Sequence, residues 1–340
     1  MKNIKIKALI MMMLVMSLLV GCSSKASTEK DVASDDGAKK LKVVTTIYAP
    51  FDFARQVAKD NADITLLLKP GAESHSYEPT PQDIIAIQNC DVFVYVGGEN
   101  DKWVDKVLDS IDNKDMKIIK LLDCVTAVEE EHKEGMQDAH GHEEDADHDD
   151  DHEDADHEDD HEEEHELDEH VWTSPKNAIA ISKKMEQVFS ELDQENAEVY
   201  SANLASYVSE LEKLDQAFTE VVSTSKRKML IFGDRFPLRY FVDAYGLDYY
   251  AAFSGCSTDT EVSAGTIAFL TDKIKDEKVP VVFKIELSSG NIANSIADST
   301  GAKVLTFYAC HNISKDDYEA GMTYTDFMWK NVDTLKEALN

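Results

Sequence analysis

The sequence predicts an α/β fold of two Rossmann-like lobes, each a parallel-rich sheet with flanking helices, joined by a long spine helix. Three observations predict it. Short β-branched runs alternate with helical stretches between residues 41 and 121, the pattern of β–α units that close a parallel sheet. The same alternation restarts at Lys228. Between the two, residues 176–225 hold neither Gly nor Pro, and Leu204, Tyr207, Leu211, Leu214, Phe218 and Val221 recur at helical spacing.

In the first lobe, residues 41–47 (LKVVTTI) read as a strand and 51–62 as a helix. Residues 64–68 (ITLLL) form a second strand, closed by Pro70-Gly71. A helix is expected over 80–89, where Pro81 is tolerated in the first turn. Strands follow at 92–96 and 117–121, with a helix at 103–111 between them. The second lobe reads as strands at 228–232, 249–253, 279–285 and 303–307, with helices at 237–245, 264–277, 291–300 and 325–339. Expected boundaries are 40–175 for the first lobe, 176–225 for the linking helix and 226–340 for the second lobe. Such a pair places a ligand cleft between the lobes, at the C-terminal ends of strands.

Residues 1–21 are set aside as a signal peptide. Lys2, Lys5 and Lys7 precede an apolar run over 8–20 that is short for a membrane span. The run ends in Leu19-Val20-Gly21-Cys22, which resembles the lipobox of bacterial lipoproteins, with Cys22 as the lipidated residue. Residues 22–39, rich in Ser, Ala, Asp and Lys, read as a flexible tether.

The chain of 340 residues carries a formal net charge of −33, and −23 of it falls between Glu129 and His170. An acidic body without a basic patch argues against nucleic acid, whose phosphates demand clustered Lys and Arg. The acidic run, 129–169, is expected to be a disordered loop, because so much like charge does not pack. It also holds His140, His142, His148, His152, His157, His161 and His165. Imidazole and carboxylate both suit zinc, so the run reads as an accessory metal binder without fixed geometry; a solvated charged loop is the plainer reading.

Three other histidines are more pointed. His75 lies on the strand-to-helix loop after Pro70-Gly71, His170 pins the exit of the acidic run, and His311 follows the strand at 303–307. Three imidazoles make most of a tetrahedral zinc shell. Each alone is more often a satisfied structural residue, but matching strand ends favour the group. Nitrogen ligands favour zinc over manganese, although Mn(II) is kept as an alternative.

Here the chain resembles the zinc and manganese solute-binding lipoproteins of ABC importers. Residues 71–81 (GAESHSYEPTP) are similar to the family's first ligand loop, with His75 at its ligand position. His170-Val171-Trp172-Thr173-Ser174-Pro175 is similar to the second ligand motif. A His- and acid-rich insertion before that motif is typical of the zinc members. The resemblance covers residues 42–339. It implies a lipid-anchored, extracytoplasmic, monomeric carrier that captures Zn(II) between two lobes and delivers it to an ABC permease. The second lobe departs from the pattern. The family's third ligand His falls on Gly233, and its last acidic ligand falls near Tyr308. Asp234 and His311 are the available replacements, though Asp234 equally reads as an ion pair with Arg235. The resemblance also implies a Cys256–Cys310 disulfide. Zinc-binding thiolates are the rival reading, disfavoured in an oxidising exterior. Cys90 and Cys124 are too far apart to bridge if their strands run parallel.

No Gly-x-Ser-x-Gly or phosphate-binding glycine loop is present, so an enzyme is not expected. A surface zinc hydrolase, with an open coordination position, and a metal-buffering adhesin remain the alternatives.

Overall fold

The computed structural model describes residues 40–73, 77–137, 166–257 and 261–340. The signal peptide, the tether, Cys22, His75 and all seven accessory histidines lie outside the described residues. Residues 40–340 form one compact unit.

Among the described residues, two four-stranded sheets are formed, in the orders β2-β1-β3-β4 and β6-β5-β7-β8. The first is built from β1 (Leu41–Thr45), β2 (Ala62–Leu66), β3 (Val92–Tyr95) and β4 (Lys117–Lys120). The second is built from β5 (Met229–Phe236), β6 (Asp248–Ser254), β7 (Val281–Ile285) and β8 (Lys303–Phe307). Every pairing is parallel, as the predicted fold class requires. Helices α1 (Tyr48–Ala58), α2 (Pro81–Gln88) and α3 (Lys102–Ser110) belong to the first half. The second half carries α6 (Arg239–Tyr245), α7 (Ala264–Glu277), α8 (Asn291–Thr300), α9 (Lys315–Glu319) and α10 (Tyr324–Leu339).

Strand periodicity sorts the cores. Val43, Val92 and Val94 face a central core, while Val44, Phe93 and Tyr95 face an outer one against α2 and α3. In the second sheet Leu230, Phe232, Val281 and Phe283 enter the same central core, and Ile231 and Val282 pack outward with α7 and α8. The central core is therefore shared by both sheets, which is why residues 40–340 hold together as one body.

The expected spine helix is two helices. α4 (Pro175–Leu192) and α5 (Ala197–Thr224) are separated by a break at Asp193. The Asp193 carboxylate accepts hydrogen bonds from Tyr200 Oη at 2.6 Å and Asn196 Nδ2 at 2.8 Å. Local side-chain bonding of this kind competes with the helix without any Gly or Pro, and the two helices pack against each other.

The acidic run is ordered at both ends, contrary to expectation. Glu129 and Leu167 form an antiparallel bridge, flanked by Glu130 N–H to Glu166 O at 2.8 Å and Asp168 N–H to Val128 O at 2.9 Å. Gln137 N–H then donates to Ala252 O at 2.9 Å on the edge strand β6. Lys133 pairs with Asp248 at 3.0 Å. These backbone and ionic ties offset the repulsion among the flanking carboxylates.

Candidate metal centre

The site lies where the C-terminal ends of the two sheets face each other. His170 comes from the first half, one residue before a single helical turn over Val171–Thr173 that leads into α4. Its side chain is fully buried. Asp168 Oδ1 accepts the His170 backbone N–H at 2.8 Å and lies 3.0 Å from Nδ1. A carboxylate only accepts, so Nδ1 donates; in the neutral ring this leaves the lone pair on Nε2, the arrangement that orients a metal-binding imidazole. Burial works against protonation of this ring, but the carboxylates of Asp168, Glu169 and Glu130 outweigh it and raise the pKa.

The Asp168-Glu169-His170 segment is clamped from both halves. Tyr240 Oη on α6 donates to Asp168 O at 2.8 Å. Glu169 accepts Asn100 N–H at 2.9 Å and Asn100 Nδ2 at 2.8 Å; burial pushes its carboxyl up to about 7. Two glycines make the room. A Cβ on Gly98 would lie 2.5 Å from Glu169 Oε1, and one on Gly255 would lie 2.8 Å from His170 Cε1.

His311 arrives from the turn after β8. Its ring sits edge-to-face on His170 with centroids 4.6 Å apart, and on Trp172 at 4.7 Å. The Trp172 indole N–H donates to Ala309 O at 2.7 Å, so Trp172 ties this turn to the His170 motif. His311 also lines a cleft of about 300 Å³ that contains Glu73, Asp234, Arg235, Glu286 and Asn312.

Asp234 sits at an irregularity in β5: the register with β6 shifts between Phe232 and Arg235, and such a bulge re-aims a side chain. Oδ2 accepts Ile285 N–H at 3.3 Å, while Oδ1 accepts Arg235 N–H at 2.9 Å. Burial raises its pKa against these contacts and the Ser288 hydroxyl. Asp234 thus lines the cleft and braces the end of β7, whereas the Arg235 guanidinium reaches Glu73 at 3.8 Å. Gly233, where a ligand was sought, is closed by packing: a Cβ there would meet Ala293 Cα on α8 at 2.5 Å.

The structure therefore brings His170 and His311 together, with Asp234 in the adjoining cleft. Among the described residues no group of three or more His, Cys, Asp or Glu is placed to hold one ion. The expected third imidazole, His75, lies outside the described residues.

The expected Cys256–Cys310 disulfide is not formed; both are free thiols, as are Cys90 and Cys124. The two sulfurs occupy different surroundings. Cys310 is buried next to Glu286 and Asp52, and Cys256 faces Glu169, Glu130 and Asp168. Sequence reasoning missed Asp168, Glu169, Glu286, Gly255 and Asn312. Only Asp168 left a local signal, a carboxylate two residues before a ligand-type His, and it was hidden among the other acids of the run.

Comparison with known proteins shows what the chain as a whole is similar to. Residues 43–338 match the family described as zinc-uptake complex component A, periplasmic (ZnuA). The chain is 33% identical over 320 residues to the zinc-binding lipoprotein AdcA of Streptococcus pneumoniae, covering 94% of this chain and 58% of that longer protein. It is 32% identical over 325 residues to the high-affinity zinc uptake system protein ZnuA of Bacillus subtilis, covering 95% and 94%. Among solved structures it resembles the Zn(II)-bound ZnuA-like domain of S. pneumoniae AdcA, with a TM-score of 0.69 and 30% identity over 88% of this chain and 99% of that one.

Proposed function

The chain belongs to the zinc-uptake component A family, the zinc type of ABC-importer solute-binding proteins, and on that premise we propose that it captures Zn(II) outside the cytoplasm and delivers it to an ABC permease. This is a family of metal-binding transport components, not an enzyme family. The observation that carries the reading is the imidazole pair: His170 and His311, from opposite halves of the chain, with ring centroids 4.6 Å apart and Asp168 orienting His170. His75 adds the third nitrogen, and Asp234 the oxygen of the set. Three nitrogens and one oxygen suit zinc better than manganese.

Cys22 carries the lipid that anchors the protein, which works as a monomer. The histidines of 140–165 collect metal as an accessory, outside the cleft. The bipartite core supports a carrier over a hydrolase, since each half contributes to enclosing His170 rather than leaving one face open for a substrate.

Metal analysis of the protein purified without added metal tests the reading. One tightly held zinc per chain is expected beyond any that the accessory histidines collect, and it should be retained after deletion of residues 138–165. Zinc that disappears with that deletion would instead identify a metal buffer, and manganese in its place would identify a manganese carrier.

A further inference from the structure

The turn that carries His311 is fastened more firmly to the first half of the molecule than its place in the chain suggests. Tyr48 N–H at the start of α1 donates to His311 O at 2.9 Å, and Gly71 N–H donates to Ile313 O at 2.8 Å. Between these two, Asn312 is 2% exposed. Its Nδ2 donates to Lys69 O and to Ala72 O, each at 2.8 Å, and its Oδ1 accepts Ile313 N–H at 2.9 Å. Every hydrogen-bonding position of the amide that faces the 69–72 turn is used. On the other side the turn is held by its own half: Glu286 Oε2 accepts Ala309 N–H at 2.7 Å. Cys310, directly before His311, has φ of +60°, a conformation that a residue with a Cβ holds only under constraint.

We propose that Asn312 is a positioning residue for metal retention: its amide fastens the His311 turn to the 69–72 turn of the first half and so keeps His311 against His170. This rests on the reading of His311 as a ligand. The consequence is mechanical. His311 is encoded in the second half but held by the first, so it stays with His170 when the sheets shift relative to each other. Release of the ion then requires detaching the Asn312 amide, which breaks its bonds to Lys69 O and Ala72 O and leaves a buried amide without acceptors.

Cobalt(II) in place of zinc makes this readable, because its d–d absorption reports ligand geometry. In Asn312→Ala, Co(II) is expected to dissociate to a chelator about tenfold faster, with a weakened d–d band, the loss expected when the two hydrogen bonds that fasten the turn are removed. A residue that merely fills the core would shift the melting temperature and leave the spectrum alone. Dissociation within about twofold of wild type and an unchanged band, while His311→Ala alters both, overturns the inference and spares the ligand reading. An unaltered band in His311→Ala sinks both. Should Asn312→Ala not fold, amide exchange on the wild-type protein decides. The Tyr48 and Gly71 N–H groups, which donate into this turn, are expected to gain protection together on metal loading; protection of neither, or of one alone, overturns the proposal.

Discussion

The two histidines reach the same point by opposite routes. The His170 ring and backbone are bonded locally, by Asp168 and by Thr173 Oγ1, which donates to His170 O at 2.8 Å, although Tyr240 and Asn100 clamp the two residues before it from a distance. His311 is held at long range, by Tyr48, Gly71, Trp172 and Glu286 from four distant segments. The first arrangement places a ligand with few residues and survives as a short motif. The second depends on contacts between segments far apart in the chain, and at Gly233 the packing of α8 leaves no room for a side chain. What the difference teaches is that two rings packed against each other can be positioned by unlike means, one by its sequence neighbours and one by the tertiary fold.

The sharpest test of this contrast removes each ring. His170→Ala and His311→Ala should each weaken zinc by more than roughly a hundredfold, beyond the loss typical of outer partners; isothermal titration checks it, and a His311→Ala protein that binds like wild type would break the comparison. Next is Asp168→Asn. It keeps the shape and one acceptor oxygen but loses the carboxylate charge that holds the His170 ring, and affinity should fall about 10–100-fold. Gly255→Ala should cost about 1–3 kcal/mol in chemical denaturation, because the added methyl overlaps His170 and Phe236 O. The smallest effect concerns Asp101, which accepts Val96 N–H at 2.8 Å and Gly97 N–H at 3.0 Å beneath the Glu169 clamp. Burial pushes its carboxyl up to about 6 from 3.8. Its folded pKa lies above the unfolded one, so its contribution is fully present below about pH 4 and is lost as pH rises through about 6. Thermal melts from pH 4 to 7 should show that decline in the wild type and a shallower one in Asp101→Asn.

Much of the fold was legible because parallel strands buried on both faces read as apolar runs: all of β3 is buried, and VFVY stands out without any tertiary knowledge. The helix at Pro81–Gln88 was equally plain, with Thr80 and Asp83 completing a capping box around the first-turn proline. β5 was read too short, since Gly233-Asp234 looks like a loop and is in fact a bulge within a strand that runs to Phe236. The break at Asp193 escaped notice because it depends on a carboxylate finding Tyr200, not on a helix-breaking residue. In the site, His170 was readable from its neighbours and His311 from its place after a strand. Asn312, Gly255 and Glu286 were not. Their roles exist only through partners 23 to 243 residues away in the chain, or, for Gly255, through the absence of a side chain.

Trp172 gives the centre an optical signal of its own. The chain has three tryptophans; Trp172 is almost completely enclosed and touches both imidazoles, while Trp329 is 40% exposed. An indole shielded from water emits at shorter wavelength than an exposed one, so its band separates from that of Trp329. A paramagnetic or coloured ion held by His170 and His311 would quench that emission. Trp172 is therefore a native reporter by which loading and unloading of the proposed site can be followed without a dye, with Trp103 and Trp329 replaced to remove their background.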